Sequence, residues 1–222
     1  MFKAAIFDLD GTLLDSAEDL ERACNYALSK FNLPQVDSQK YKLMLGFGRR
    51  RVIELIVSEF FGFEEKDVVD KFLEYYNEFY ESHMLDNTKP FPGIMNMLNV
   101  LSDSGVITAV LSNKSHDNTV KLTNEFFKDK IKYSAGLKEG CLAKPHPDSL
   151  LNLLNTLNLK KEECIYIGDT EIDIQVAKNA GVQSLGVLWG FRSEDIMRKE
   201  NADFMASTME ELIHVVLNND KK

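Results

Sequence analysis

Apolar and polar positions follow two different periods along this chain, and the change of period divides it. At the start, Ala4, Ala5, Ile6 and Phe7 form an unbroken apolar run, as expected of a strand buried on both faces, and it stops at Asp8 and Asp10. The spacing then turns helical. Residues 16–31 place Leu20, Ala23, Cys24, Ala27, Leu28 and Phe31 on one stripe, and residues 38–45 read as a short helix. Arg49–Phe61 aligns Val52, Leu55, Ile56 and Phe60, and residues 65–81 align Val68, Val69, Phe72, Tyr75, Tyr76 and Phe79. Ser16 with Asp19 reads as a capping box for the first of these helices. No strand is predicted between Phe7 and residue 105.

The pattern changes at Lys89, Pro90, Phe91, Pro92 and Gly93, after which helices and strands alternate. Pro92 opens a helix that runs to Asp103 and is closed by Gly105. Residues 106–111 read as a strand, 115–127 as a helix, 131–134 as a short strand, and 147–157 as a helix turning Leu150, Leu151, Leu154 and Leu157 inward. Residues 164–167 and 184–188 are further strands, separated by the helix Glu171–Ala180 ending at Gly181, and Thr208 with Glu211 forms a capping box for the last helix. Such alternation predicts an α/β fold with a doubly wound parallel sheet. An all-helical block following the first strand, where one crossover helix would suffice, predicts an inserted domain. The expected division is an α/β core of residues 1–14 and 88–222 and a helical domain of residues 15–87.

Composition narrows the partners. With 222 residues, 44% of them hydrophobic, the chain can bury a substantial core, and its net charge of −9 argues against a nucleic-acid surface and a basic membrane-binding face. The three cysteines, Cys24, Cys141 and Cys164, are odd in number and lack C-x-x-C spacing, so neither a disulfide framework nor a zinc site is expected. Without an apolar run of membrane-spanning length, the expected setting is cytoplasmic.

The candidate chemistry sits where strands end. In doubly wound sheets ligands bind beyond the carboxyl ends of the strands, at a topological switch point. Asp8 and Asp10 follow the first strand on one side of an extended backbone, and Gly11 lets the chain turn away behind them. Two close carboxylates both stay ionised only beside a cation, so a metal site or an acid/base pair is expected. Ser112, Asn113 and Lys114 follow the second long strand, Asp169 and Asp173 follow the strand at 164–167, and Lys144 precedes a helix. Carboxylates for a hard cation, a hydroxyl and an amide for phosphate oxygens and a lysine point charge together describe phosphoryl transfer. Each group also has an ordinary structural use: Ser112 and Asn113 as helix caps, Lys144 as a loop charge, and Asp169 and Asp173 at a helix N-terminus. His83, His116, His146 and His214 show no metal-ligand spacing.

Asp8-Leu-Asp10-Gly-Thr12, Ser112-Asn113, the single Lys144 and Gly168-Asp169 followed by Asp173 occur in this order over nearly the whole chain. In this the sequence resembles the haloacid dehalogenase superfamily of phosphohydrolases with an all-helical cap after the first strand. Gly46-Phe-Gly48 and the segment from Val187 through Trp189 to Arg192 resemble the phosphoglycolate phosphatases within it. The resemblance implies a Mg2+-dependent phosphatase of a small phosphorylated metabolite, with 2-phosphoglycolate as the best single expectation. It makes Asp8 the nucleophile that forms an aspartyl-phosphate and Asp10 the acid and then base. Mg2+ would be held by the Asp8 side chain, the Asp10 carbonyl oxygen and Asp169, with Asp173 standing behind them. Ser112, the Asn113 amide and Lys144 would bind the phosphoryl oxygens, with help from Thr12 and the backbone at Leu9 and Gly11. Arg49, after Gly48, is a candidate for a substrate carboxylate or phosphate, although beside Arg50 and Arg51 it reads equally as a solvated charge. Asp15 and Ser16 would form the hinge into the cap.

The resemblance also frames the competing expectations. A pyrophosphatase, a nucleotidase or a sugar-phosphate phosphatase would use the same core. Sugar-phosphate mutases of the superfamily usually carry Glu-Asp where this chain has Gly168-Asp169, and dehalogenases usually lack the second aspartate that Asp10 supplies. Outside enzymes, a phospho-aspartate receiver would end an interior strand with its aspartate but carry no helical insertion. A non-catalytic binding protein descended from the phosphatases would be expected to have lost motif residues, and none is missing.

Overall fold

The first apolar run is β1 (Ala4–Phe7), buried along its whole length. In a computed structural model, which describes residues 1–62 and 65–219, it lies inside a six-stranded sheet. The parts of the expected domain ranges at 63–64 and 220–222 lie outside the described residues. In sheet order the strands are β5 (Tyr133–Leu137), β4 (Ile107–Ser115), β1, β6 (Cys164–Gly168), β7 (Gln183–Val187) and β8 (Phe204–Ala206). Every neighbouring pair is parallel, with Phe7 opposite Val110 on one side and Ile167 on the other. The winding reverses at β1, so the switch point lies where Asp8 follows it.

Parallel strands need cover on both faces. On one, α7 (Asp148–Leu157) and α8 (Glu171–Ala180) set Leu150, Leu153, Leu154, Val176 and Ala177 against Ile6, Leu111 and Tyr166. Each leucine so buried is worth about 1.5–3 kcal/mol relative to exposure. Elsewhere α5 (Ile94–Asp103) packs on β4 and on α10 (Met209–Asn218), which itself lies along β8, and α6 (His116–Phe126) covers β4 and β5. The Phe2 N–H donates to Val216 at 2.9 Å, tying the first strand to α10. Thr208 and Glu211 form the expected capping box at α10.

The chain divides into Met1–Leu14 with Pro90–Lys222, and Asp15–Lys89. The second unit is helical: α1 (Ala17–Lys30), α2 (Ser38–Met44), α3 (Arg49–Phe61) and α4 (Lys66–His83), with α1 and α3 both against α4. Its aromatic stripes form its core. Phe31 stacks on Phe72 with ring centroids 5.8 Å apart and meets Phe61 edge-on at 5.4 Å, and the Tyr41 hydroxyl donates to the Leu20 carbonyl at 3.0 Å. No helix among the described residues is long and apolar enough to cross a membrane.

Four local expectations change. Two-residue strands, β2 (Leu14–Asp15) and β3 (Lys89–Pro90), pair with each other, too short to leave a periodic signal. Strand β8 has three residues and α9 (Glu194–Lys199) six, and both escaped detection for the same reason. Strand β4 continues to Ser115, carrying Ser112, Asn113 and Lys114 inside the strand although they break its apolar run. Finally, Ser16 makes no side-chain cap bond. Asp19, its expected capping partner, is needed elsewhere: it accepts from the N–H groups of Asn87 (2.9 Å) and Thr88 (2.8 Å), the Thr88 hydroxyl (2.8 Å) and the Asn87 side-chain amide (2.8 Å). A carboxylate can accept several donors at once, and these four sit where the helical unit returns toward β3.

Burial works against the Asp19 carboxylate, but the bonds from Asn87 and Thr88 outweigh it and hold its pKa below the usual 3.8. A depressed carboxylate contributes stability above its unfolded pKa that is lost as pH falls through the folded one. Asp19→Ala should therefore destabilise the protein by about 2–4 kcal/mol at neutral pH, since it strands two backbone donors and a hydroxyl. In urea unfolding, the gap between the variant and the parent should narrow as pH falls below 3.8; a gap independent of pH would mean that Asp19 acts only through packing.

Candidate active site

The loop that leaves β1 turns sharply. The N–H groups of Leu13 and Leu14 both donate to the Leu9 carbonyl, at 3.0 and 2.9 Å, while the Asp8 N–H continues the ladder to Ile167 at 2.8 Å. Gly11 has φ +82°, and a Cβ there would lie 2.3 Å from Asp169 Oδ2. A side chain is excluded twice, by conformation and by space. At Gly168 and Gly190 space alone excludes a side chain: a Cβ would stand 2.2 Å from the Asp173 carboxyl carbon and 2.3 Å from the Asp169 Cβ, respectively. Three backbones thus close on two aspartates.

Asp8, Asp169 and Asp173 come together, their ligand atoms within 4.8 Å of one another, and all three are buried. Asp169 accepts from the Thr12 hydroxyl through Oδ1 (2.8 Å) and from the Phe191 N–H through Oδ2 (2.8 Å). Asp173 takes the Lys144 ammonium on Oδ1 (2.7 Å) and the Thr170 N–H (3.0 Å) and hydroxyl (2.7 Å) on Oδ2, so it caps α8 from within. Burial, then the charge of Asp173, push Asp8 up to about 6 against the pull of Lys144, Ser112 and the Leu9 backbone. Asp169 is raised well above the carboxylate range by burial and by the charges of Asp173 and Asp8.

Lys144 is the cation inside this cluster. Its ammonium donates to Asp173 (2.7 Å) and to the Tyr166 hydroxyl (2.8 Å), and it lies 3.1 Å from Asp8 Oδ1 as an ion pair outside hydrogen-bond geometry. Burial disfavours its charge, yet Asp173 and Asp8 hold it protonated well above the usual lysine range. Asn113 fixes its backbone from both sides, accepting from the Lys144 N–H (2.8 Å) and donating to the Lys144 carbonyl (3.0 Å). The Asn113 side-chain amide is therefore a clamp on Lys144. Ser112 is buried beside Asp8 and accepts from the Lys114 N–H at 3.3 Å. The Asp10 carboxylate turns away from the other three, toward Lys114, whose ammonium lies 2.8 and 3.1 Å from its two oxygens. Arg49 belongs to the helical unit, where it donates to Asn77 at 2.6 Å.

With all three buried carboxylates ionised, the one ammonium leaves a formal charge of −2, the deficit a divalent cation would fill. The donors are hard oxygens, as Mg2+ or Ca2+ would require, and the buried Asp8 Oδ1 accepts no hydrogen bond. The residues fit such an ion. Asp8 and Asp169 retain unfilled acceptor positions, whereas Asp173 already accepts three bonds. Among the described residues no other group of three His, Cys, Asp or Glu side chains is close enough to share a metal.

Two participants were not anticipated. Tyr166 stands in the middle of β6 and both accepts from Lys144 and donates to the Leu111 carbonyl (2.6 Å); a lone hydroxyl in an otherwise apolar buried strand was its only mark. Lys114 was visible beside Ser112 and Asn113, but its pairing with Asp10, 104 positions away, left no trace in spacing. The segment after β7 also acquires a physical role. Trp189 donates to the Thr12 carbonyl at 3.0 Å, Gly190 leaves room for Asp169, and Arg192 pairs with Glu171 at 2.7 Å.

Residues 5–187 match the family model described as haloacid dehalogenase-like hydrolase. A phosphoglycolate phosphatase of Aquifex aeolicus is 30% identical over 225 residues, covering 98% of each chain, and one of Vibrio parahaemolyticus is 29% identical, covering 96% of each. A crystal structure of a provisionally named phosphoglycolate phosphatase from Lactobacillus delbrueckii superposes with a TM-score of 0.90 at 32% identity, over 98% of this chain and 99% of that one.

The carboxylate surplus predicts a trade of stability against site integrity. A carboxyl group whose folded pKa is raised opposes folding at pH values above its unfolded pKa. Asp8→Asn should accordingly raise the melting temperature of the metal-free protein at pH 7, by about 2–4 °C for each kcal/mol of repulsion relieved. Millimolar Mg2+ should shift the parent's melting temperature upward, and the same substitution should shrink that shift. A variant that melts lower, or gains as much from Mg2+ as the parent, would show that the three carboxylates do not share a cation.

Proposed function

The chain belongs to the haloacid dehalogenase-like hydrolases, and on that basis we propose that it is a Mg2+-dependent phosphatase of a small phosphomonoester, working through an aspartyl-phosphate on Asp8, with 2-phosphoglycolate as its substrate. The observation that carries the reading is the position of Asp8: buried at the switch point, within 3.1 Å of a lysine, in a cluster short of two positive charges. The names of the relatives similar to this chain over nearly their full lengths support the substrate.

The residues divide the work. An Asp8 oxygen attacks phosphorus; the bond from phosphorus to the ester oxygen breaks, its electron pair stays on that oxygen, and Asp10 gives it a proton. Asp10 then takes a proton from water as the water oxygen attacks phosphorus, and the bond to Asp8 breaks with its pair returning to the carboxylate. Ser112, the Asn113 backbone N–H and Lys144 are proposed to bind the transferring oxygens, with Thr12 and the Gly11 backbone holding the loop. The Lys144 ammonium is hydrogen-bonded to Asp173 and Tyr166 and only ion-paired with Asp8, so the Asp8 contact is the one it would exchange to reach a phosphoryl oxygen. Asp8, Asp169 and the Asp10 carbonyl would hold the ion, with Asp173 fixing Lys144 behind them. When bound, Mg2+ supplies positive charge that offsets the repulsion between a carboxylate and a phosphate dianion. Residues 15–89 are proposed as a cap domain that selects the substrate, with Arg49 as its candidate contact.

Phosphate release from a panel of 2-phosphoglycolate, sugar phosphates, nucleoside monophosphates and pyrophosphate tests this directly. Activity should be highest on 2-phosphoglycolate, vanish with EDTA and fall by at least about 10³-fold in Asp8→Asn. Activity surviving both treatments would remove the mechanism, and a preference for another ester would reassign the substrate alone.

A further inference from the structure

Asp8 and Asp10 are two residues apart, yet each has its own lysine. That of Asp8 is built into the buried cluster. That of Asp10 is Lys114, which follows Ser112 and Asn113 in the sequence but was given no role there.

The fold goes to some length to aim it. Strand β4 pairs with β5 in register at Leu111 opposite Ala135 and again at Ser115 opposite Leu137, so four steps on β4 face two on β5. The excess falls on Ser112, Asn113 and Lys114, and such a bulge redirects the side chains within it. Opposite the bulge is Gly136, where a Cβ would lie 2.4 Å from the Lys114 carbonyl oxygen and 2.8 Å from that of Ser115; only a glycine lets the two backbones approach so closely. The Lys114 side chain is 6% exposed and that of Asp10 17%. Withdrawing an ammonium from water to this extent is costly unless a partner compensates, and both Asp10 oxygens lie within 3.1 Å of it.

We propose that Lys114 is a positioning residue that holds the Asp10 carboxylate by both oxygens, so that Asp10 meets the departing ester oxygen in line with attack by Asp8. The proposal rests on the reading of Asp10 as the acid. A carboxyl group on a loop can rotate about two side-chain bonds, and proton transfer requires its oxygen within hydrogen-bond reach of the reacting atom. One ammonium across both oxygens fixes the plane of the carboxyl group as well as its distance. The role concerns the first step: the bond from Asp8 to phosphorus forms, the ester bond breaks with its pair on oxygen, and the Asp10 proton goes to that oxygen.

Leaving groups that need this proton differently provide the test. An alkyl ester such as 2-phosphoglycolate expels a strongly basic alkoxide unless it is protonated, while p-nitrophenyl phosphate expels a weakly basic phenolate. Because kcat/KM covers steps up to departure of the alcohol, Lys114→Met should lower it about 10²-fold for 2-phosphoglycolate and less than about tenfold for p-nitrophenyl phosphate, with KM little changed. Lys114→Arg, which keeps a charged donor, should recover at least half of the loss on a logarithmic scale. Lys114→Gln serves the same comparison if Lys114→Met does not fold. Equal losses on both esters overturn the proposal, as does a rise in KM confined to the carboxylate-bearing substrate, which would make Lys114 a substrate contact. Asp10→Asn separates the two levels of the argument. If it shows no dependence on the leaving group, the reading of Asp10 as the acid fails; if it does and the Lys114 variants do not, only the role of Lys114 fails.

Discussion

Excess negative charge at the carboxyl end of β1 is the constraint on which the rest of this structure depends. Asp8, Asp169 and Asp173 are buried within reach of one another and share a single ammonium. Left alone, such a group would spread apart or take up protons, and the raised pKa values of Asp8 and Asp169 express that tendency. It is held by contacts that leave little room to move. Asn113 grips both sides of the Lys144 peptide, Thr170 and Asp173 cap each other at α8, and Gly11, Gly168 and Gly190 bring backbone against the carboxylates where any side chain would collide. A site that opposes folding locally is tolerated because the sheet and its helices bury enough apolar surface to offset it.

The sheet supplies the geometry. The carboxylates and cations come from several separate strand ends and loops, and parallel strands deliver all of them to one end. Asp8 follows β1, Asp169 and Asp173 follow β6, and Ser112, Asn113 and Lys114 lie in the bulged end of β4. The helices on the sheet hold register as much as they add stability: a slip of one residue in β1 would turn Asp8 to the opposite face.

The two aspartates of the first motif also show how one loop creates two environments. Asp8 is sealed in, linked through Lys144 to Tyr166 and Asp173, while Asp10 keeps some exposure and leans on a different lysine. Separate surroundings are what the opposite roles proposed for the two carboxyl groups would require, one as an anion that attacks and the other as a carrier of a proton.

Much of this was legible in the sequence because it is carried by periodicity and by short motifs. The apolar run at Ala4–Phe7, the unbroken helical spacing from residue 16 and the later alternation determine a doubly wound sheet with a helical insertion, since each element must bury a face whose period it displays. Asp8, Asp10, Ser112, Asn113 and Asp169 could be picked out as candidates because each lies at or just beyond the end of an apolar strand, with Asp173 one helical turn further on and Lys144 in the loop before α7. What only the tertiary structure decided is which partner each of them takes. Asp19 bonds Asn87 and Thr88 in place of its own helix, Asn113 holds a backbone, Asp10 turns to Lys114, and Tyr166 joins Lys144 to Leu111. These pairings join residues 22 to 104 positions apart, and they depend on strand order and on a bulge, which no local pattern encodes. Local chemistry selects the residue types, and long-range packing assigns their partners.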